Sequence, residues 1–219
     1  MLNEVGDKNQ FGNATSLEWL LEPFARRGEL SEVRITAHTP LTMLREDLEN
    51  IPEFDLQAGY TIRSYRPGDE AHWLRIHLLA DPENQFKPDT FKQQFGSDAR
   101  ILAQRQFYLL DPAQSVIGTA TAWFNEDFDG ERIGRVHWVA IVPDSQGRGL
   151  SRPLMTTACR RLRELGHNKA YLTTSAARTA AIHLYLRFGF TPLIRTEVER
   201  TAWAQIISAR TSNLKSPGP

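Results

Sequence analysis

From Gly59 onward, apolar and polar positions fall into short, well-separated runs, whereas the residues before it carry a weaker pattern. Residues 60–65 alternate as a half-buried strand does, and the turn Arg66-Pro67-Gly68-Asp69 offers Asp69 as a helix N-cap. A helix is predicted from there to about Ala80. Residues 81–88 read as a loop, and Phe91 and Phe95 then mark one face of a short helix. Three strands are predicted at 106–110, 116–125 and 135–142. Their short links, Asp111-Pro112 and the acidic stretch 126–134, favour an antiparallel meander.

After Pro143 a long helix is predicted to about Leu165, because Leu150, Leu154, Ala158, Leu162 and Leu165 keep helical spacing. Pro153 is tolerated in a first turn and Gly166 can close the helix. Residues 170–174 read as a buried strand, 179–188 as a helix closed by Gly189, and 190–196 as another strand. That order implies a parallel crossover. A last helix is expected over 197–209, with Trp203, Ile206 and Ile207 inward, followed by a disordered tail at 211–219.

Upstream, Leu17, Leu20, Leu21 and Phe24 share one helical face. Thr15 and Glu18 are placed as its capping box and Pro23 as a kink or stop. Residues 33–51 show little pattern, and 46–57 read as an acidic lead-in. The expected organisation is a partly helical N-terminal extension at 1–57, one domain at 58–210 and the tail. The expected class is α/β (α+β), a mixed central sheet flanked by helices.

Composition narrows the function more than the fold. The 219 residues are 41% hydrophobic and 10% aromatic, enough for one domain with a sizeable core. Twenty-six basic residues balance 26 acidic ones, so no global field draws the chain to nucleic acid or to an anionic membrane. The single cysteine, Cys159, rules out an intramolecular disulfide and reads as a small buried hydrophobe. The first ten residues lack the order of a secretory signal, and no apolar run reaches membrane-spanning length, so a cytoplasmic location is expected. His38, His72, His77, His167 and His183 show no ligand spacing, and no metal site is expected. Arg160, Arg161 and Arg163 read as the solvated face of a helix.

The informative stretch is 139–151, where a buried strand ends in a turn containing Gly147 and Gly149 and opens into the long helix. Unpaired amides at the positive end of a helix dipole suit a pyrophosphate, although ordinary strand-to-helix connections also contain glycines. A second segment follows about forty residues later, Leu184-Tyr185-Leu186-Arg187-Phe188-Gly189-Phe190. With these two motifs, their order and their separation, the sequence resembles the GNAT acetyltransferases. That family carries a Gln/Arg-x-x-Gly-x-Gly/Ala turn, here 146–151, and a later Leu-Tyr-x-x-x-Gly-Phe run, here 184–190.

The resemblance implies the GNAT fold and acetyl-CoA as co-substrate. The backbone of Val139, Ala140 and Ile141 would hold the pantetheine arm, and Gln146, Gly147, Arg148, Gly149, Leu150, Ser151 and Arg152 would cradle the pyrophosphate. Tyr185 would act as the acid at the thioester sulfur. Two positions depart from the family pattern. Ser151 stands where Gly or Ala is usual, and Arg178 stands where many members carry asparagine, either pairing with a cofactor phosphate or pointing into water.

Relatives that acetylate protein N-termini carry a carboxylate where this chain has Thr173, which cannot act as a base. His137 is the substitute, either a catalytic base or a hydrogen-bonded core histidine, with Glu126 and Asp127 next in line, though these two read more readily as a solvated hairpin. Asp81, Glu83 and Asn84 lie where the family builds part of the acceptor pocket. The leading expectation is direct transfer of an acetyl group from acetyl-CoA to a small primary amine in a ternary complex. The alternatives are a non-catalytic CoA-binding module of the same fold, or a longer acyl or aminoacyl donor. The extension either packs on the meander or exchanges between subunits, leaving monomer and homodimer both open.

Overall fold

The computed structural model describes residues 35–82 and 84–215. The helix expected around Leu17, Leu20, Leu21 and Phe24 lies outside the described residues, as does Glu83. The elements run β1 (Pro40–Arg45), β2 (Thr61–Ser64), α1 (Asp69–Ala80), α2 (Thr90–Phe95), α3 (Ala99–Arg105), β3 (Gln106–Leu110), β4 (Val116–Phe128), β5 (Glu131–Ile141), α4 (Ser151–Glu164), β6 (Ala170–Ser175), α5 (Thr179–Arg187), β7 (Thr191–Leu193) and α6 (Glu197–Lys215). All seven strands form one sheet in the order β2-β3-β4-β5-β6-β1-β7.

The meander β2-β3-β4-β5 is antiparallel, as the short links required. β6 then lies parallel to β5, with α4 as the crossover. Neighbouring residues of β3 mark the two faces of the sheet. Phe107 lies beneath the Arg161 guanidinium of α4, while Tyr108 faces Tyr65, whose ring stacks on Phe91 of α2 at 6.3 Å. The core fills both sides, with Trp73 of α1 and Leu154 and Leu162 of α4 wholly buried.

β1 changes the expected architecture. It lies between β6 and β7 and pairs antiparallel with both, Met43 opposite Leu172 on one side and Pro192 on the other. β6 and β7 therefore run parallel to each other with β1 between them, so the expected crossover passes over a third strand. The boundary expected near residue 58 falls inside the sheet-forming unit. Arg45, at the end of β1, donates from Nη1 to the Phe188 carbonyl at 2.5 Å, placing a cation at the C-terminus of α5.

Smaller differences have local causes. Gly68, at φ 99°, occupies the N-cap of α1, and Asp69 is its first residue. The Asp69 carboxylate accepts from the Arg66 amide at 2.6 Å and from both Arg63 terminal nitrogens, and so ties the β2 turn to the helix. α3, capped by the Asp98 side chain, arises in a stretch without a clear apolar stripe. α6 continues to Lys215, past the expected end at 209. Among the described residues, no helix is long and apolar enough to cross a membrane, and no group of three or more His, Cys, Asp or Glu side chains could hold a metal ion.

Candidate active site

The site begins where β5 and β6 separate. They pair only at Gly134 with Ala170 and Arg135 with Tyr171, after which both strands continue without bonding each other. Gly134 permits the close approach at the root. A Cβ there would lie 3.0 Å from the Lys169 carbonyl oxygen and 3.2 Å from both His167 Cβ and Leu162 Cδ2. On its other edge β5 stays paired with β4, but the register passes from Thr121 opposite His137 to Thr119 opposite Ala140. Two residues of β5 thus oppose one of β4, a bulge that bends the strand. Trp138 lies in this bulge with φ 51°, a left-handed conformation uncommon outside glycine. The space between the diverging strands is a cleft of about 720 Å³.

Backbone builds one end of the cleft. Val139, Ala140 and Ile141 line it on the β5 edge that no strand among the described residues covers. The following turn is held by the Gln146 side chain, whose Nε2 donates to the Ile141 carbonyl at 2.8 Å. Gly147 and Gly149 have φ of 74° and 76°, and a Cβ on either would meet nothing within 4 Å. Among the described residues nothing accepts from the amides of Gly147, Arg148, Gly149, Leu150 and Ser151. Open amides at the start of a fourteen-residue helix form a concave, positively polarised surface that fits a pyrophosphate. The Arg148 side chain folds back onto the Asp144 carbonyl at 3.0 Å, and Arg152 lies over the Phe54 ring, so these two arginines add no side chain to the cleft lining.

Side chains build the other end. Tyr185 of α5 is 8% exposed and lines the cleft. Burial pushes its phenol up to about 12, with Arg178 opposing. His137 of β5 lines the same space, and its Nε2 lies 3.0 Å from Gln94 Oε1 of α2. Trp138 Nε1 donates to that same oxygen at 3.0 Å. Successive side chains of a regular strand point to opposite faces, and the bulge is what turns both toward α2. Burial, with the Arg135 charge and His77 adding to it, holds the His137 imidazole well below its ordinary pKa.

Arg178 lines the cleft and is partly exposed. Its guanidinium pairs with the Asp81 carboxylate, so the β6–α5 turn is tied to the end of α1 across the cleft. Asn84 Nδ2 donates to the same carboxylate at 2.6 Å. Thr173 lines the cleft as a side chain without acid or base capacity. Glu126 and Asp127 lie away from it, on the β4–β5 hairpin. There Glu126 pairs with Arg132 at 3.1 Å and Asp127 accepts from the Gly130 amide. Cys159 is buried and its thiol is pushed up to about 12 by burial.

Sequence reasoning missed Gln94, Trp138 and His77. His77 is 2% exposed and packs against Trp73 at 4.3 Å, Trp138 at 5.1 Å and Phe86 at 5.5 Å. Its Nε2 is buried without a hydrogen-bond partner among the described residues, and burial pushes its pKa down to about 3. The only signal for it was the spacing of four between Trp73 and His77, which places both on one helix face.

The sheet thus splits between parallel strands, with a glycine turn at one end of the split and a buried tyrosine at the other. The profile of the Acetyltransferase (GNAT) family matches residues 70–190, and the chain belongs to that family. It is 32% identical over 176 residues to a mycothiol acetyltransferase of Nocardia farcinica, an alignment covering 75% of this chain and 53% of that protein. The chain thus spans about half the length of the curated relatives it matches. Among solved structures, a GCN5-related N-acetyltransferase from Sphaerobacter thermophilus superposes with a TM-score of 0.59 at 19% identity, covering 80% of this chain and 52% of that one. The aminoglycoside N-acetyltransferase AAC(6')-Iy in complex with CoA superposes at 0.51 and 17% identity, covering 67% and 95%. These two likenesses establish the shared fold.

Proposed function

We propose that the chain is an N-acetyltransferase that moves an acetyl group from acetyl-CoA directly to a primary amine. The observation that carries this reading is the continuity of one cleft from the open amides at 147–151 to Tyr185 and His137. Acetyl-CoA, when bound, supplies the activated acyl group as a thioester. The uncovered edge of β5 at 139–141 offers backbone donors and acceptors to an extended arm, as a sheet edge does to an added strand. The amides of the glycine turn hold the pyrophosphate.

Tyr185 keeps its proton at neutral pH because burial disfavours phenolate, which suits a group that donates to a departing thiolate. His137 is held neutral by burial and so presents a lone pair throughout the neutral range. The amine attacks in its uncharged form, the ammonium proton having passed to solvent. Weak basicity then suffices for the second proton, because a nitrogen becomes far more acidic once it bonds an acyl carbon. Asp81, held by Arg178 and Asn84, places a carboxylate at the acceptor end, where an ammonium group would be attracted. A reducing, cytoplasmic setting fits a chain whose only cysteine is buried and unpaired.

Calorimetric titration with acetyl-CoA, followed by a thiol-release assay against a panel of primary amines, tests the proposal. Binding and amine-dependent release are expected. Tyr185→Phe is expected to lower kcat roughly 10²- to 10⁴-fold while leaving acetyl-CoA affinity intact. Binding without turnover on any amine would instead make the protein a CoA-binding module, and absence of binding would sink the reading altogether.

A further inference from the structure

The two ring nitrogens of His137 are not equivalent, and the difference comes from α2. Gln94 Oε1 meets both Trp138 Nε1 and His137 Nε2 at 3.0 Å. An indole nitrogen only donates, so the amide atom it meets is the oxygen, and the amide cannot be turned the other way. A carbonyl oxygen only accepts, so His137 Nε2 must carry a hydrogen. A neutral imidazole has one N–H, which leaves Nδ1 as the nitrogen with the free lone pair. No group among the described residues hydrogen-bonds Nδ1. The two donors also fill both lone pairs of Oε1, so the amide is held in place by the residue next to the one it orients.

We propose that Gln94 is a positioning residue that fixes His137 as the Nε2–H tautomer and thereby makes Nδ1 the nitrogen that takes the acceptor's proton. The second half rests on His137 being the base; the first does not. The arrangement depends on the bulge, because in an unbulged strand His137 and Trp138 would face opposite sides and one amide could not reach both. The ring also packs against Phe95 at 5.6 Å and Trp138 at 5.4 Å. The titratable or charged groups acting on it are Arg135 from its own strand and His77 from α1. Neither acts in place of the amide as an acceptor for Nε2–H.

Two-bond proton–nitrogen NMR on the full chain with labelled histidine reads the tautomer without reference to activity. At pH 7 the wild-type His137 is expected to show a protonated Nε2 and a bare Nδ1. Gln94→Leu is expected to mix the two tautomers and to lower kcat about tenfold, the cost of one lost hydrogen bond, with acetyl-CoA affinity unchanged. Gln94→Glu keeps an acceptor at the same place and is expected to restore the Nε2–H form. A wild-type ring protonated at Nδ1, or a Gln94→Leu ring that stays purely Nε2–H, would overturn the proposal. Full turnover by His137→Gln would overturn the base reading and the role given to Nδ1, while leaving the hold of Gln94 on the ring to stand on the spectrum.

Discussion

At the α4 end of the cleft the inward surfaces are backbone, the uncovered edge of β5 and the open amides from Gly147 to Ser151. At the Tyr185 end they are side chains drawn from α1, β5, β6 and α5. The first end depends on a path through φ values that only glycine adopts freely, and side-chain identity matters little there. The second depends on several separate elements arriving together, and its groups owe their properties to burial. A backbone cradle recognises what all donors of one class share, whereas side chains can be exchanged to suit different acceptors.

The largest effect expected from breaking the backbone end is that of Gly149→Trp. A bulky residue forced to φ 76° shifts the turn and obstructs its amides, so calorimetry should show acetyl-CoA affinity reduced by roughly a hundredfold or more, about 3 kcal/mol. Next comes Gly134→Val at the root shared by both ends. Its side chain would crowd the Lys169 carbonyl and Leu162, and denaturant melts should show a loss of about 1–3 kcal/mol.

The side-chain end is probed by pH. His77 titrates near 6.5 when unfolded and at about 3 when folded, so below pH 6.5 the unfolded chain binds a proton that the folded one refuses. Stability is therefore full above pH 6.5, falls as pH drops toward 3, and levels off beneath it. His77→Phe should remove about 2 kcal/mol of the loss seen between pH 7 and pH 5, read from denaturant midpoints at the two values. The smallest effect is that of Asp81→Asn, which frees Arg178. An ion pair with its arginine 43% exposed should cost less than about 1 kcal/mol of stability, so any larger change should appear in the KM for the amine.

The same contrast governs what could be read from the sequence. The glycine turn and Leu184-Tyr185 are contiguous, and their chemistry follows from local spacing; the helices α1, α2 and α4 likewise have periodic apolar positions. β1 was missed because its inward face reads Leu41, Met43, Arg45, and a buried arginine that caps α5 breaks the apolar alternation. Glu126 and Asp127 stand on the hairpin, the more ordinary of their two readings, because β4 runs on to Phe128 and carries them away from the cleft. Gln94 gave no signal at all. Its importance lies in which nitrogen it meets, and an extra residue in β5 that no spacing rule announces brings that nitrogen to it.

The interior position of β1 also bears on how the protein is made. Residues 40–45 leave the ribosome before the strands they pair with, both of which are synthesised more than a hundred residues later. At ordinary synthesis rates that interval is on the order of ten seconds, during which Leu41 and Met43 have no sheet to join. The meander β2 to β5 can pair in the meantime from short-range contacts, so the sheet is closed last by its earliest strand.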